Sequence, residues 1–84
     1  MKSIRVQVVY FGRARDIAGS GKEEFSFPGV VSVDALLSRA ESRHSGLAGL
    51  RKSIRVAVNE SVTSTEASLH DGDVVAILPP IAGG

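Results

Sequence analysis

Apolar and polar residues alternate with period two near the amino end. Ile4, Val6, Val8 and Tyr10 fall on one side of an extended chain, with Ser3, Arg5 and Gln7 on the other. The pattern predicts a first strand over residues 3–11, and Val9 and Phe11 on its polar side predict cover on both faces at its far end. Residues 13–18 suit one short helical turn, with Gly19 as a left-handed stop before a Gly19-Ser20-Gly21 loop. Alternation resumes over residues 22–27, where Phe25 and Phe27 oppose Glu24 and Ser26, and Pro28-Gly29 closes this second strand. The period then changes to that of a helix. Val33, Leu36, Leu37 and Ala40 form one apolar stripe, Ser32 supplies the N-cap, and Asp34 suits the positive end of the helix dipole. Arg39, Arg43 and His44 lie towards the carbonyl end, and Gly46 is expected as the C′ residue.

Residues 47–50 read as a linker whose leucines pack beneath the helix. Residues 54–58 alternate again, Asn59-Glu60 makes a turn, and residues 61–65 form a short polar edge segment. Leu69 is the only large apolar side chain between Val62 and Val74, so it is predicted to pin its loop to the core. Asp71-Gly72-Asp73 is a tight turn. Residues 74–78 are the most continuous apolar run and are expected to form a central strand buried on both faces. One amphipathic helix covers one sheet face, so the order strand, strand, helix, strand, short strand, strand predicts a two-layer α+β domain. Placing the first and last strands side by side in the middle gives the β-grasp, or ubiquitin-like, roll. It has a mixed sheet of four to five strands, with one main helix packed on one face.

Length and composition narrow the function classes. The 84 residues make one domain over residues 1–78, with an extended tail over residues 79–84. Such a chain buries about 63% of its unfolded surface, enough for one modest core. A net charge of +1 offers no broad basic face for nucleic acid. The absence of cysteine excludes disulfides, thiolate metal sites and a cysteine nucleophile, so sulfur chemistry requires sulfur from another protein. No apolar run is long enough for a signal peptide or a membrane span, and the expectation is a soluble, cytoplasmic protein.

Candidate chemistry inside the domain is thin. His44 and His70 lack metal-site spacing, and Asp71 and Asp73 lack the rest of a calcium loop. Glu23 and Glu24 point to opposite faces of a strand and cannot act as an acid–base pair. The Gly19 and Gly21 pair has no phosphate-loop pattern around it. Arg13 and Arg15 read either as contacts for an acidic surface or as solvated side chains. No catalytic residue, metal ligand or bound cofactor is expected on this chain.

The tail is what remains. Pro79 and Pro80 hold the backbone extended and remove two amide donors, while Gly83 and Gly84 carry no side chains to obstruct a narrow channel. Residues 79–84 reach about 20 Å when extended. Adenylation of the Gly84 carboxylate by a partner using ATP and magnesium would supply a leaving group. Persulfide attack then yields a thiocarboxylate, and lysine attack yields an isopeptide bond. On residue type alone, a frayed glycine-rich terminus is the competing reading.

Four blocks in order carry a family resemblance. They are Tyr10-Phe11-Gly12-Arg13-Ala14-Arg15-Asp16-Ile17-Ala18-Gly19, Val56-Ala57-Val58-Asn59, Asp71-Gly72-Asp73-Val74-Val75 and Pro79-Pro80-Ile81-Ala82-Gly83-Gly84. Together they resemble the MoaD/ThiS family, and within it the small, sulfur-carrier subunits of molybdopterin synthase, over nearly the whole chain. Gly12 stands where alanine is usual and Ile81 where valine is usual. The resemblance implies that Gly84 is adenylated and thiocarboxylated by an activating enzyme of the ubiquitin-E1 type, with a sulfur donor protein supplying the sulfur. It implies assembly with a large catalytic subunit, two small chains with two large, and sulfur transfer to cyclic pyranopterin monophosphate for the molybdenum cofactor. Carried over by position, Phe11, Arg15, Leu78, Pro79, Pro80 and Ile81 become docking residues, and Gly83 and Gly84 the inserted tip. The alternatives are a carrier for thiamin, cysteine or tRNA thiolation, a ubiquitin-like protein modifier, and a plain interaction module. Thiamin carriers are usually shorter and lack the segment from Phe11 to Gly19.

Overall fold

The computed structural model describes residues 3–79. Strand β1 (Ile4–Tyr10) turns Ile4, Val6, Val8 and Tyr10 into the core, as its alternation predicts. It pairs antiparallel with β2 (Lys22–Phe27), Val6 opposite Phe25 and Ile4 opposite Phe27. The segment between them holds helix α1 (Gly12–Ala18), longer than the single turn expected. Ala14 is buried and Ile17 packs on the core, and this tertiary contact sustains a helix too short to persist alone. Gly19 ends it at φ 75°, its N–H donating to the Arg15 carbonyl.

Two residues form β3 (Val31–Ser32), after which the chain enters α2 (Val33–Arg43). The Ser32 Oγ accepts a 3.1 Å hydrogen bond from the Ala35 amide, a cap worth about 1 kcal/mol. Val33, Leu36, Leu37 and Ala40 are all buried. The expected glycine stop is corrected. α2 gives way at His44, with φ −132°, and Gly46 lies inside a 3₁₀-helix (Ser45–Leu50). A β-carbon on Gly46 would come 2.9 Å from Ile17 Cγ2, so this glycine permits the 3₁₀ segment to lie against α1. Leu47 is buried and Leu50 packs against the core.

Strands β4 (Arg55–Val58) and β5 (Ser61–Thr63) form a hairpin through Asn59 and Glu60, both at positive φ. Leu69 is fully buried and lies in β6 (Ser68–Leu69), which pairs with β3 as a small second sheet. Strand β7 (Val74–Leu78) runs parallel to β1 and antiparallel to β4, so the main sheet has the order β2-β1-β7-β4-β5. This is the β-grasp roll: a mixed five-stranded sheet with the main helix on one face.

Two expectations of double-sided burial are corrected. β7 buries Val75 and Ile77, while Val74 stays 38% exposed and Ala76 and Leu78 are half-covered. At the end of β1, Phe11 is 44% exposed. The helical layer covers one face only, and the other is open. Across that open face, Val9, Ala76, Ala57 and Val62 stand in one register row over four strands.

Candidate functional site

The site is the place where β7 runs out. Its last rung beside β1 is a 3.2 Å hydrogen bond from the Phe11 amide to the Ile77 carbonyl. Leu78 follows, half-buried and in register with Arg55 of β4, and then Pro79, exposed. Gly12, at φ +56°, sits directly against the proline. A β-carbon there would lie 3.3 Å from Pro79 Cβ. The left-handed backbone at Gly12 turns the chain out of β1 into α1 and leaves room for Pro79 at the same time.

One hollow adjoins this root and a second lies along the open sheet face, and Phe11 lines both. One, of about 280 Å³, is walled by Arg13, Ala14, Leu50, Ser53, Ile54 and Pro79 as well as Phe11. The other, about 370 Å³, lies on the open sheet face and is completed by Val9, Val74, Ala76, Asn59 and Glu60. Phe11 therefore stands as an apolar ridge between two depressions. Arg15 lines neither; its guanidinium lies against Gly21. Pro80, Ile81, Gly83 and Gly84 lie outside the described residues.

Sequence reasoning offered Arg13 as a contact for an acidic surface without placing it beside the root, and it missed Leu50, Ser53 and Ile54. The position of Arg13 had a signal, since it follows Phe11 by two residues in the same motif. The other three are more than thirty residues away in sequence and carried none.

The titratable groups of the domain are engaged in holding the frame. Glu23 accepts hydrogen bonds from the Tyr10 hydroxyl at 2.8 Å and from Arg43 at 3.1 Å, and pairs with His44 Nε2 at 2.9 Å. Burial pushes the Glu23 carboxyl up, but the bonds from Tyr10, His44 and Arg43 outweigh it and hold the group below its ordinary value. Burial, and then Glu23 itself, push the Tyr10 phenol up. The network ties the end of α2 to β1 and β2, one residue before Phe11. Asp73 accepts from the His70 amide at 2.8 Å and from Asn59 Nδ2 at 3.0 Å, which holds its carboxyl low. Asp71 accepts from the Arg5 amide. These aspartates therefore close a turn. Among the described residues no group of three or more His, Asp or Glu side chains is placed to hold a metal ion. No helix among them is long and apolar enough to cross a membrane.

The arrangement is thus a rigid root, made of strand, proline and glycine, beside an exposed aromatic ridge. Comparison with known proteins gives it a setting. Residues 8–84 match the sequence model of the ThiS family. The human molybdopterin synthase sulfur carrier subunit is 35% identical over 95% of this chain and 94% of its own. A Pyrococcus furiosus structure, provisionally named molybdopterin converting factor subunit 1, superimposes with a TM-score of 0.84. Its identity is 31%, covering 93% of this chain and 99% of that one. A chain of the Amycolatopsis orientalis BexX/CysO complex is also 31% identical, with a TM-score of 0.70, covering 94% of this chain and 99% of that one. With the roll, the tail root and a family match that runs through both, this chain belongs to the ThiS family.

Proposed function

We propose that this chain is a sulfur carrier, the small subunit of a molybdopterin synthase, and that its Gly84 carboxylate is the reacting group. The observation that carries the reading is the 35% identity to a named sulfur carrier subunit over 95% of the chain. Residues 79–84 act as an extended tail on the domain formed by residues 1–78. The root described above supports this, because a leash that enters two active sites in turn needs a fixed point of departure.

The chemistry proceeds on partner proteins in two stages, loading and delivery. An adenylating enzyme uses ATP with magnesium. The Gly84 carboxylate attacks the α-phosphate, pyrophosphate leaves, and an acyl adenylate forms. The sulfur of a donor's persulfide then attacks the acyl carbon and AMP leaves, giving an acyl disulfide. A second thiol cleaves the disulfide, leaving the thiocarboxylate on Gly84 and a new disulfide between donor and thiol. A large catalytic subunit next takes the loaded tail, in a heterotetramer of two small and two large chains, and transfers the sulfur to cyclic pyranopterin monophosphate. On this chain Gly83 gives clearance at the tip. Phe11, Arg15, Leu78, Pro79, Pro80 and Ile81 dock, and catalysis belongs to the partners. The setting is the cytoplasm.

The similarity to a chain of the BexX/CysO complex, equal in identity to the Pyrococcus one, supports a second reading in which the same tail serves another sulfur-transfer pathway. Reconstitution separates the two. Thiocarboxylated protein mixed with the large synthase subunit of the same organism should convert cyclic pyranopterin monophosphate to molybdopterin. Loaded protein that yields no molybdopterin with that subunit would assign the carrier to another pathway.

A further inference from the structure

Two arginines that the proposed chemistry does not use stand on either side of the point where β7 ends. Arg13, exposed on α1, lines the hollow of about 280 Å³ that Pro79 also lines. Arg55, exposed on β4, is in register with Leu78 and lines a neighbouring hollow of about 270 Å³ beyond Ile54. No carboxylate lines either hollow. A third arginine there, Arg51, is already held by Glu41 at 2.6 Å and Asp34 at 2.5 Å. The arginines of α2 are engaged as well, Arg43 with Glu23 and over the Phe25 ring, Arg39 over the Phe27 ring. Among the described residues, Arg13 and Arg55 form no ion pair.

We propose that Arg13 and Arg55 form a cationic collar around the tail root. The collar docks on carboxylates at the mouth of the channel through which the large catalytic subunit admits the tail. An apolar side chain of that subunit enters the hollow floored by Ala14, Leu50 and Ile54. The identity of the partner rests on the sulfur-carrier reading; the collar itself rests on placement. Any protein that encloses the residues after Pro79 must cover the surface around Pro79, and both arginines lie there. A cation covered without an opposing charge opposes binding, so the covering surface must be acidic. The overall charge of +1 is too small to steer association by itself, which leaves steering to local placement. In the proposed heterotetramer the catalytic subunit is the standing partner, whereas the adenylating enzyme is met only for loading, so the lasting contact is assigned to the catalytic subunit.

Stopped-flow association of the purified chain with the large subunit of the same organism tests this. Reversing both charges, Arg13→Glu with Arg55→Glu, should slow association about tenfold at low salt and flatten its salt dependence. Arg13→Lys with Arg55→Lys should retain most of the wild-type rate and slope. An unchanged melting temperature shows that the reversed variant is folded. Association that ignores the double reversal overturns the collar, as does an effect confined to loading by the adenylating enzyme. Wild type that cannot be thiocarboxylated at all overturns the sulfur-carrier reading instead, so the two failures are distinguishable.

Discussion

Gly12 and Pro79 touch across the root of the tail: a β-carbon on the glycine would come 3.3 Å from Cβ of the proline. One residue starts α1 and the other ends the described part of the final strand. Their contact, together with the bond from the Phe11 amide to the Ile77 carbonyl, fixes the backbone at Pro79, where the described residues end. The account depends on that geometry, because a carrier must present its terminus away from its own body.

Gly12→Val tests the contact. An L-residue at φ +56° costs about 1–2 kcal/mol, and valine adds bulk where Pro79 now sits. The expected outcome is a lower melting temperature together with slower thiocarboxylate formation at a temperature where the variant is still folded. Loading at the wild-type rate would show that the exit direction does not depend on this contact.

The Glu23 network predicts a pH dependence of stability. Its hydrogen bonds hold the carboxyl below its ordinary value of 4.5 against the opposing effect of burial. A carboxyl depressed in the folded state contributes stability that is complete above its unfolded pKa and is lost as pH falls through the folded one. Stability should therefore decline as pH drops below about 4.5, by the linkage just stated. Glu23→Gln should cost about 1–3 kcal/mol at neutral pH and flatten the acid limb, leaving the part due to Asp73. Urea unfolding across a pH series measures both effects.

Gly46 predicts an overpacking defect. With Ile17 Cγ2 2.9 Å from the position of a β-carbon, Gly46→Ala should destabilise by about 1–3 kcal/mol, read from denaturant midpoints. The double change Gly46→Ala with Ile17→Leu should recover part of the loss, since the clash falls on the Cγ2 branch, which leucine lacks.

The fold was legible wherever a period coincided with one-sided burial. Ile4, Val6, Val8 and Tyr10 in β1 and Val33, Leu36, Leu37 and Ala40 in α2 are such stripes, and the Ser32 cap is a local interaction. The two-residue strands β3 and β6 were not legible, being too short to show any period. The continuous apolar run of β7 was misread as doubly buried. Hydropathy alone does not distinguish a face covered by the chain's own helix from one left open, where Val74 and Phe11 stand. Gly46 was misread because a glycine after a helix suggests a left-handed stop, whereas here the reason is a contact with Ile17, far away in sequence. At the site, Phe11 and Pro79 could be named from the first and last of the four blocks. The wall of Leu50, Ser53 and Ile54 comes from tertiary packing, which no local pattern encodes.

The central claim is that Gly84 carries sulfur, and intact mass spectrometry tests it most directly. The purified chain is incubated with ATP, magnesium, the adenylating enzyme of the same organism, a sulfur donor and a thiol. The account predicts a mass gain equal to one oxygen replaced by sulfur in wild type and no gain after deletion of Gly84. The deletion control separates this from oxidation of Met1, the single methionine, which adds nearly the same mass. A wild-type chain that stays unmodified under conditions that load a known carrier, or a gain that survives loss of Gly84, would contradict it.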